Sequence, residues 1–229
     1  MKLYLAGLEN KAFRDIMKEI GVRYALLNFS YTTRTKHTDW IAETDFIDSY
    51  IVTPGNIEPE EYDRYIDFLC YSTGNNLDFA LDPLDLLNQS DTMVKLVPVW
   101  DTGECILNKD TFAITKEYTN TIFNKNFILQ LKNIGYKVHG IDFDMRGITD
   151  SFQSSRWLYG KYGFWFMFTG TGVELSINPT TMHKNFIKNR LTNEGWIFPG
   201  KSGWEQTAYI NGIAFKQYQD YLESRTYGG

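Results

Sequence analysis

The stretch KVHGIDFDMRGITDSFQSSRWLYGKYG, Lys137–Gly163, has the pattern of a buried strand that opens into a polar connection. Val138–Phe143 is predicted to be the strand, and its last residues and the loop beyond it contain Asp142, Asp144 and Asp150. α/β proteins place their functional residues just past the carboxyl ends of parallel strands. The stretch therefore predicts an α/β fold and the acidic part of a site.

Three earlier apolar runs are also interrupted or followed by an acid, at Asp48, Asp82 and Asp101. In a closed parallel sheet these residues and Asp142 would lie at one rim. Carboxylates that gather at one mouth repel each other, which raises the pKa of some and is typical of functional sites. We therefore expect a shared acidic rim.

Short apolar runs alternate with amphipathic stretches over the first 170 residues or so, as in consecutive βα units. The predicted strands are Lys2–Ala6, Tyr24–Phe29, Asp45–Val52, Leu77–Leu81, Met93–Trp100, Phe112–Thr115, Tyr136–Phe143 and Phe164–Phe168. The predicted helices are Asn10–Ile20, Pro59 to about Ser72, Asn124–Ile134, Pro179–Arg190 and Glu205–Ser224.

This order predicts a single domain over residues 1–229: a compact or incomplete TIM-type (β/α)8 barrel over about 1–170, then a helical C-terminal extension over about 171–229. Such a barrel is short against the usual ~250 residues. An open, doubly wound parallel sheet is therefore the alternative.

The formal net charge of −5 argues against binding of nucleic acid over the whole surface. A local basic groove that includes Lys184 and Lys188 stays open, beside the alternative of a solvated helix face. Two cysteines without CxxC spacing, no secretory signal and no long apolar run predict a cytoplasmic protein. The three dispersed histidines form no zinc motif, and no nucleotide-binding glycine motif occurs, so no cofactor is expected.

Each candidate residue has a structural alternative. Asp48, with Ser49 beside it, could accept hydrogen bonds from a heterocycle or act as a general base, or it could cap a loop. His139 could line a site or pack in the core, and Trp157 could stack on a base or pack its own loop.

Several short motifs, in this order, resemble the tRNA-guanine transglycosylase superfamily, and in particular its compact phage and bacterial branch linked to 7-deazaguanine modification of DNA. The motifs are YLAG (Tyr4–Gly7), ALLNFSY (Ala25–Tyr31), DFIDSY (Asp45–Tyr50), EEYDRYIDFL (Glu60–Leu69), FALDP (Phe79–Pro83), LVPVWDTGE (Leu96–Glu104), KVHGID (Lys137–Asp142), SSRWLYGKYG (Ser154–Gly163) and AYINGIAFKQYQDYL (Ala208–Leu222).

The resemblance implies a TIM-type barrel that exchanges guanine for a 7-deazaguanine base in nucleic acid, DNA rather than tRNA, through a covalent glycosyl–enzyme intermediate. It implies that Asp48, at the D-S-G-G/A-F position after strand three, does acid–base work, and that a late-strand carboxylate is the nucleophile. Gln153 stands at that second position, so Asp142 or Asp150 would take the role. The acidic rim, the reading of single residues and the resemblance together give the candidate substrate-binding residues, which are Ser49, Asp82, Asp101, His139, Gln153 and Trp157.

Two departures from the family pattern bear on activity. Tyr50, Ile51 and Val52 replace the small residues after Asp48-Ser49, and Gln153 cannot form a glycosyl ester. Base exchange is therefore one hypothesis. A non-catalytic barrel that binds nucleic acid, a nucleotide or a protein is the second, and an unrelated barrel hydrolase of a sugar or nucleoside is a third.

Overall fold

The structure is a computed structural model that describes residues 2–35, 43–71, 73–82, 94–100, 111–115, 134, 137–143, 174–177, 184–198 and 203–224. Its strands are β1 (Leu3–Ala6), β2 (Tyr24–Asn28), β3 (Ser49–Thr53), β4 (Leu77–Asp82), β5 (Leu96–Trp100), β6 (Thr111–Thr115), β7 (Lys137–Phe143) and β8 (Glu174–Ile177). Its helices are α1 (Lys11–Ile20), α2 (Phe29–Thr35), α3 (Tyr62–Tyr71, after a 3₁₀ turn at Pro59–Glu61), α4 (Lys184–Asn193) and α5 (Gly203–Ser224).

Every strand pairs in parallel with the next one in the chain, and β1 also pairs with β8. The pairings thus run in a closed ring from β1 to β8. The predicted α/β class with a parallel sheet is confirmed. Helices follow β1, β2, β3 and β8 in the described residues, and the connections after β4 to β7 lie outside them.

The eighth strand differs from the prediction. Glu174–Ile177 is β8, within the segment expected to be a helical tail, whereas Phe164–Phe168 lies outside the described residues. The four residues of β8 alternate polar and apolar side chains, which is the pattern of a strand. We missed this signal because the run is short, and because a longer apolar run precedes it.

Alternate strand residues separate into two apolar clusters. One contains side chains of one face of the first five strands, namely Tyr4, Leu26, Ile51, Phe79, Leu81 and Val97. The other joins the opposite face to the helices, and includes Leu5, Leu27 and Val52 together with Met17, Tyr65 and Ile213. Because side chains alternate along a strand, the first cluster marks the inner face of the sheet and the second its helix-covered face.

Helix α1 has strong signals at both ends. The Asn10 side chain accepts hydrogen bonds from the backbone N–H groups of Ala12 (2.9 Å) and Phe13 (3.4 Å), as an N-cap does. Gly21 ends the helix with φ = 75°, in the left-handed region that glycine adopts without strain. The helix thus begins just past β1 and returns the chain to the amino end of β2.

Helix α5 packs against α1 and β1. Its buried residues include Ile210, Ile213 and Ala214. No helix among the described residues is long and apolar enough to cross a membrane.

We predict that Ile213→Ala lowers the free energy of unfolding by about 2–5 kcal/mol, because it removes buried methyl groups between α5 and its neighbours and leaves a cavity. Ile197→Ala is the matched control. The Ile197 side chain is 86% exposed, so the same substitution should change stability by no more than about 0.5 kcal/mol. Guanidinium unfolding of both variants checks this, and equal effects would contradict the packing described.

Candidate functional site

The parallel strands give the sheet an amino edge, where the strands begin, and a carboxyl edge, where they end. Asp48 was expected at the carboxyl edge and lies at the amino edge. Strand β3 begins at Ser49, so Asp48 precedes the strand instead of following it. Residues Thr44–Ile47 form a turn closed by a hydrogen bond from Ile47 N–H to the Thr44 carbonyl (3.0 Å). The prediction that Asp48 shares a carboxyl rim with Asp82 is therefore wrong.

The physical reason is the burial of Tyr50, Ile51 and Val52, each of which is fully buried. We predicted a strand over Asp45–Val52 and expected Asp48 to follow its most apolar part. The structure instead uses the next apolar run as the strand, and Asp45–Asp48 leads into it.

The Asp48 carboxylate is occupied by an ion pair at this amino edge. Its Oδ2 atom accepts hydrogen bonds from Arg23 Nε (2.6 Å) and lies 2.5 Å from Arg23 Nη2. The same guanidinium bonds Glu223, near the end of α5, through Nη1 (2.8 Å). Asp48 thus connects the turn before β3 to the C-terminal helix.

Ser49 belongs to a second polar group at the amino end, the Lys2 cluster (Lys2, Tyr4, Ser49 and Asp78). Lys2 Nζ donates to Ser49 Oγ (3.1 Å) and to Asp78 Oδ2 (2.5 Å), and the Tyr4 hydroxyl donates to Asp78 Oδ2 (2.6 Å). Burial alone would raise the pKa of Asp78, but the hydrogen bonds from Lys2, Tyr4 and Ser49 outweigh it and the pKa is lowered. The cluster closes the amino end over the inner apolar side chains.

Asp82 does lie at a carboxyl end, as the last residue of β4, but on the helix side of the sheet. Phe79 and Leu81 belong to the inner cluster and Ala80 to the outer one, so Asp82 continues the outer alternation. Its carboxylate accepts a hydrogen bond from the Tyr62 hydroxyl of α3. Asp82 is 3% exposed, and its contacts are those of a residue that joins a strand to its helix.

The remaining predicted site residues fall on parts of the chain for which no side chain is described. Asp142 is the penultimate residue of β7, close to its carboxyl end, and His139 lies in the middle of that strand. Asp101, Asp144, Asp150, Gln153 and Trp157 lie outside the described residues. Their proposed roles stay predictions.

The carboxyl edge of β2 and β3 contains a pair of polar residues that the sequence analysis did not consider. Asn28 and Thr53 are the last residues of their strands and are partners in register. They follow Leu26 and Ile51 of the inner cluster by two positions, so both side chains lie on the inner face. Asn28 and Thr53 therefore stand at the mouth of the ring, above its apolar interior.

The Asn28 amide is oriented by its neighbours. Its Oδ1 accepts from the Ser30 hydroxyl (2.9 Å) and from Tyr31 N–H (3.2 Å), and these two donors identify the oxygen. Its Nδ2 donates no hydrogen bond to any described residue. A Cβ at Gly55 would lie 2.5 Å from Asn28 Oδ1, so only glycine allows the loop after β3 to approach this group.

Glu9 completes the group, which we call the mouth triad (Glu9, Asn28 and Thr53). It follows β1, and its Oε2 accepts from Asn28 N–H (3.2 Å), beyond the point where the strand ladder ends. Glu9 is 8% exposed and forms no ion pair with any described residue. Burial raises its pKa; its own N–H, that of Asn28 and the charge of Arg14 offset this only in part.

The sequence held a signal for Glu9. It lies three residues past the end of a short apolar strand, a looser form of the layout at Asp82 and Asp101, which directly follow their apolar runs. Asn28 and Thr53 had no such signal, because an uncharged polar residue at a strand end is ordinary.

No group of three or more His, Cys, Asp or Glu side chains that could hold a metal ion occurs in the part of the chain that the structure describes. Comparison of the chain with family models and with curated proteins gives no match in either case.

We predict that Asp78→Asn destabilises the protein at pH 7 by about 1–3 kcal/mol, because it leaves Lys2 without its partner. The lowered pKa means that the ionised carboxylate stabilises the fold above its ordinary pKa of 3.8, and that this stability is lost as the pH falls through the lowered value. Urea unfolding from pH 7 to pH 2 should show the two proteins converge. Asp67→Asn, an exposed control on α3, should match wild type throughout; a gap for Asp78→Asn that is constant with pH would contradict the account.

Glu9→Gln should change the pH dependence of stability in the sense opposite to that of Asp78→Asn. A raised pKa means that ionised Glu9 opposes folding, so wild type gains stability as the pH falls through that raised value toward 4.5. The variant keeps an acceptor for Asn28 N–H and lacks this pH dependence, so at pH 7 it should be at least as stable as wild type. A loss of more than about 1 kcal/mol at pH 7, measured by urea unfolding, would show that ionised Glu9 is structural.

Proposed function

We propose that this chain is a compact TIM-type (β/α)8 barrel with a helical C-terminal extension that binds a purine or 7-deazapurine base at its carboxyl mouth and does not exchange it. The closed ring of parallel strand pairs supports the barrel, as do the helices after β1 and β3. The base would be free or part of nucleic acid, DNA in preference to tRNA.

The observation that carries this proposal is the residue at the carboxyl end of β3. The resemblance places an acid–base Asp after strand three, but β3 ends in Thr53, and Asp48 is paired with Arg23 at the opposite edge. A threonine hydroxyl can hydrogen-bond a base and cannot take the role of a carboxylate in proton transfer. Gln153 at the position of the nucleophile points in the same direction.

The mouth triad supports binding. It combines an amide donor, a hydroxyl and a buried carboxyl above an apolar floor, which are the features of a small-molecule site. The carboxyl ends of the parallel strands are also where TIM-type barrels place their ligands.

Base exchange is the second candidate function. The position of Asp142 favours base exchange. This residue lies next to the carboxyl end of β7, where a carboxylate that attacks the ribose would be needed. Asp150 is the other candidate nucleophile and lies outside the described residues. An exchange enzyme acting on duplex DNA would also have to flip the target nucleotide, at a cost of a few kcal/mol.

One experiment separates the two candidates. The protein is incubated with DNA, and separately with tRNA, in the presence of radiolabelled guanine or 7-deazaguanine; equilibrium dialysis measures bound base, and counting of the purified polymer measures incorporated base. We expect bound label and no incorporation. Incorporation that is lost in Asp142→Asn and kept in Asp48→Ala would establish exchange and overturn the proposal, and no bound label would overturn base binding.

A further inference from the structure

The charges around the mouth triad affect whether the bound base can carry a phosphate group. Acidic side chains predominate on the described connections next to it: Glu9, Glu43, Glu58, Glu60, Glu61 and Asp63. The cations on the same segments and on the helices α1, α2 and α3 close to them are Lys11, Arg14, Arg34 and Arg64. This sector of the mouth therefore has an excess of negative charge.

Three of these four cations are committed to acids. Lys11 Nζ lies 3.3 Å from Glu43, Arg14 Nη2 lies 2.9 Å from the same carboxylate, and Arg64 Nη1 lies 3.8 Å from Glu61. Arg14 additionally donates to the carbonyl oxygens of Leu8 and Glu9 (3.1 Å each), which fixes its guanidinium on the backbone. These three side chains are therefore already engaged and are not available to pair with a phosphate beside β1 or β3.

The mouth triad offers hydrogen bonds of a different kind. Asn28 Nδ2 is a neutral donor, and its geometry is held by the two hydrogen bonds to its oxygen. Thr53 lies beside it in register; its Oγ1 accepts from Gly55 N–H (3.3 Å), and its hydroxyl proton can still be donated to a ligand. Leu26 and Ile51 lie two positions deeper on the same face and supply an apolar surface for a ring.

From this arrangement we infer that the mouth triad binds the edge of an uncharged base or nucleoside and discriminates against the corresponding nucleotide. Asn28 Nδ2 donates to an acceptor on the heterocycle, Thr53 hydrogen-bonds the same edge, and the Glu9 carboxylate with the neighbouring acids repels a phosphate. The inference rests on the proposed function, because it names the chemical form of the base bound at that mouth.

The test is isothermal titration calorimetry with guanine, guanosine and guanosine 5′-monophosphate, at low salt, on wild type and three variants. Thr53→Val removes the hydroxyl at nearly constant shape. Asn28→Asp keeps the acceptor for Ser30 and Tyr31 and replaces the free donor. Glu9→Gln removes the charge. Asn193→Ala and Glu194→Gln, on exposed residues at the end of α4, are the matched controls, and thermal melting establishes that each variant is folded.

We expect wild type to bind guanine and guanosine at least about tenfold more tightly than the monophosphate, the ratio that corresponds to 1.4 kcal/mol. Thr53→Val and Asn28→Asp should each weaken guanine binding by about fivefold or more, the loss of one hydrogen bond. Glu9→Gln should keep guanine binding and reduce the discrimination against the monophosphate. The controls should match wild type.

Three results would overturn the inference, and they differ in what else they overturn. Binding of guanine that is unchanged in folded Thr53→Val and Asn28→Asp would place the base elsewhere, and the proposed function would stand. Equal or tighter binding of the monophosphate would overturn the charge argument alone. Binding of none of the three compounds would overturn the proposed function as well.

Discussion

The burial of Tyr50, Ile51 and Val52 fixes where strand β3 begins and ends, and with it which side chains lie at each edge of the sheet. These three consecutive residues are fully buried and pair β3 with both β2 and β4. A strand buried on both faces is typical of parallel sheets covered by helices. Once this run is the strand, Thr53 must lie at its carboxyl end and Asp48 before its amino end, about five residues away along an extended chain.

The alternation of side chains then decides which polar residues reach the mouth. Asn28 and Thr53 continue the inner face, whereas Asp82 continues the face that meets α3 and bonds Tyr62 there. The carboxyl ends of β1, β2 and β3 therefore carry a neutral pair with one buried acid beside it, and the amino ends carry the Lys2 cluster and the Asp48 ion pair. Among the described residues, the structural ion pairs of the sheet thus lie at its amino edge, and the neutral polar pair lies at its carboxyl edge.

Much of the fold was predictable from the sequence, because the periodic apolar runs of β1, β2, β4 and β7 and the caps of α1 are local signals. The candidate site was less predictable. The segment from Asp45 to Val52 holds two adjacent apolar runs, and only pairing with neighbouring strands decides which one is buried as a strand. The face on which Asp82 lies depends on the irregular register between β3 and β4, which no local pattern encodes.

A crystal structure of the chain grown with saturating guanine would show whether the carboxyl mouth over β2 and β3 is the ligand site. We expect the base against Leu26 and Ile51, with Asn28 Nδ2 and Thr53 Oγ1 within hydrogen-bond distance of its edge. A base bound beside Asp48 and Ser49, at the amino edge of β3, would contradict this expectation.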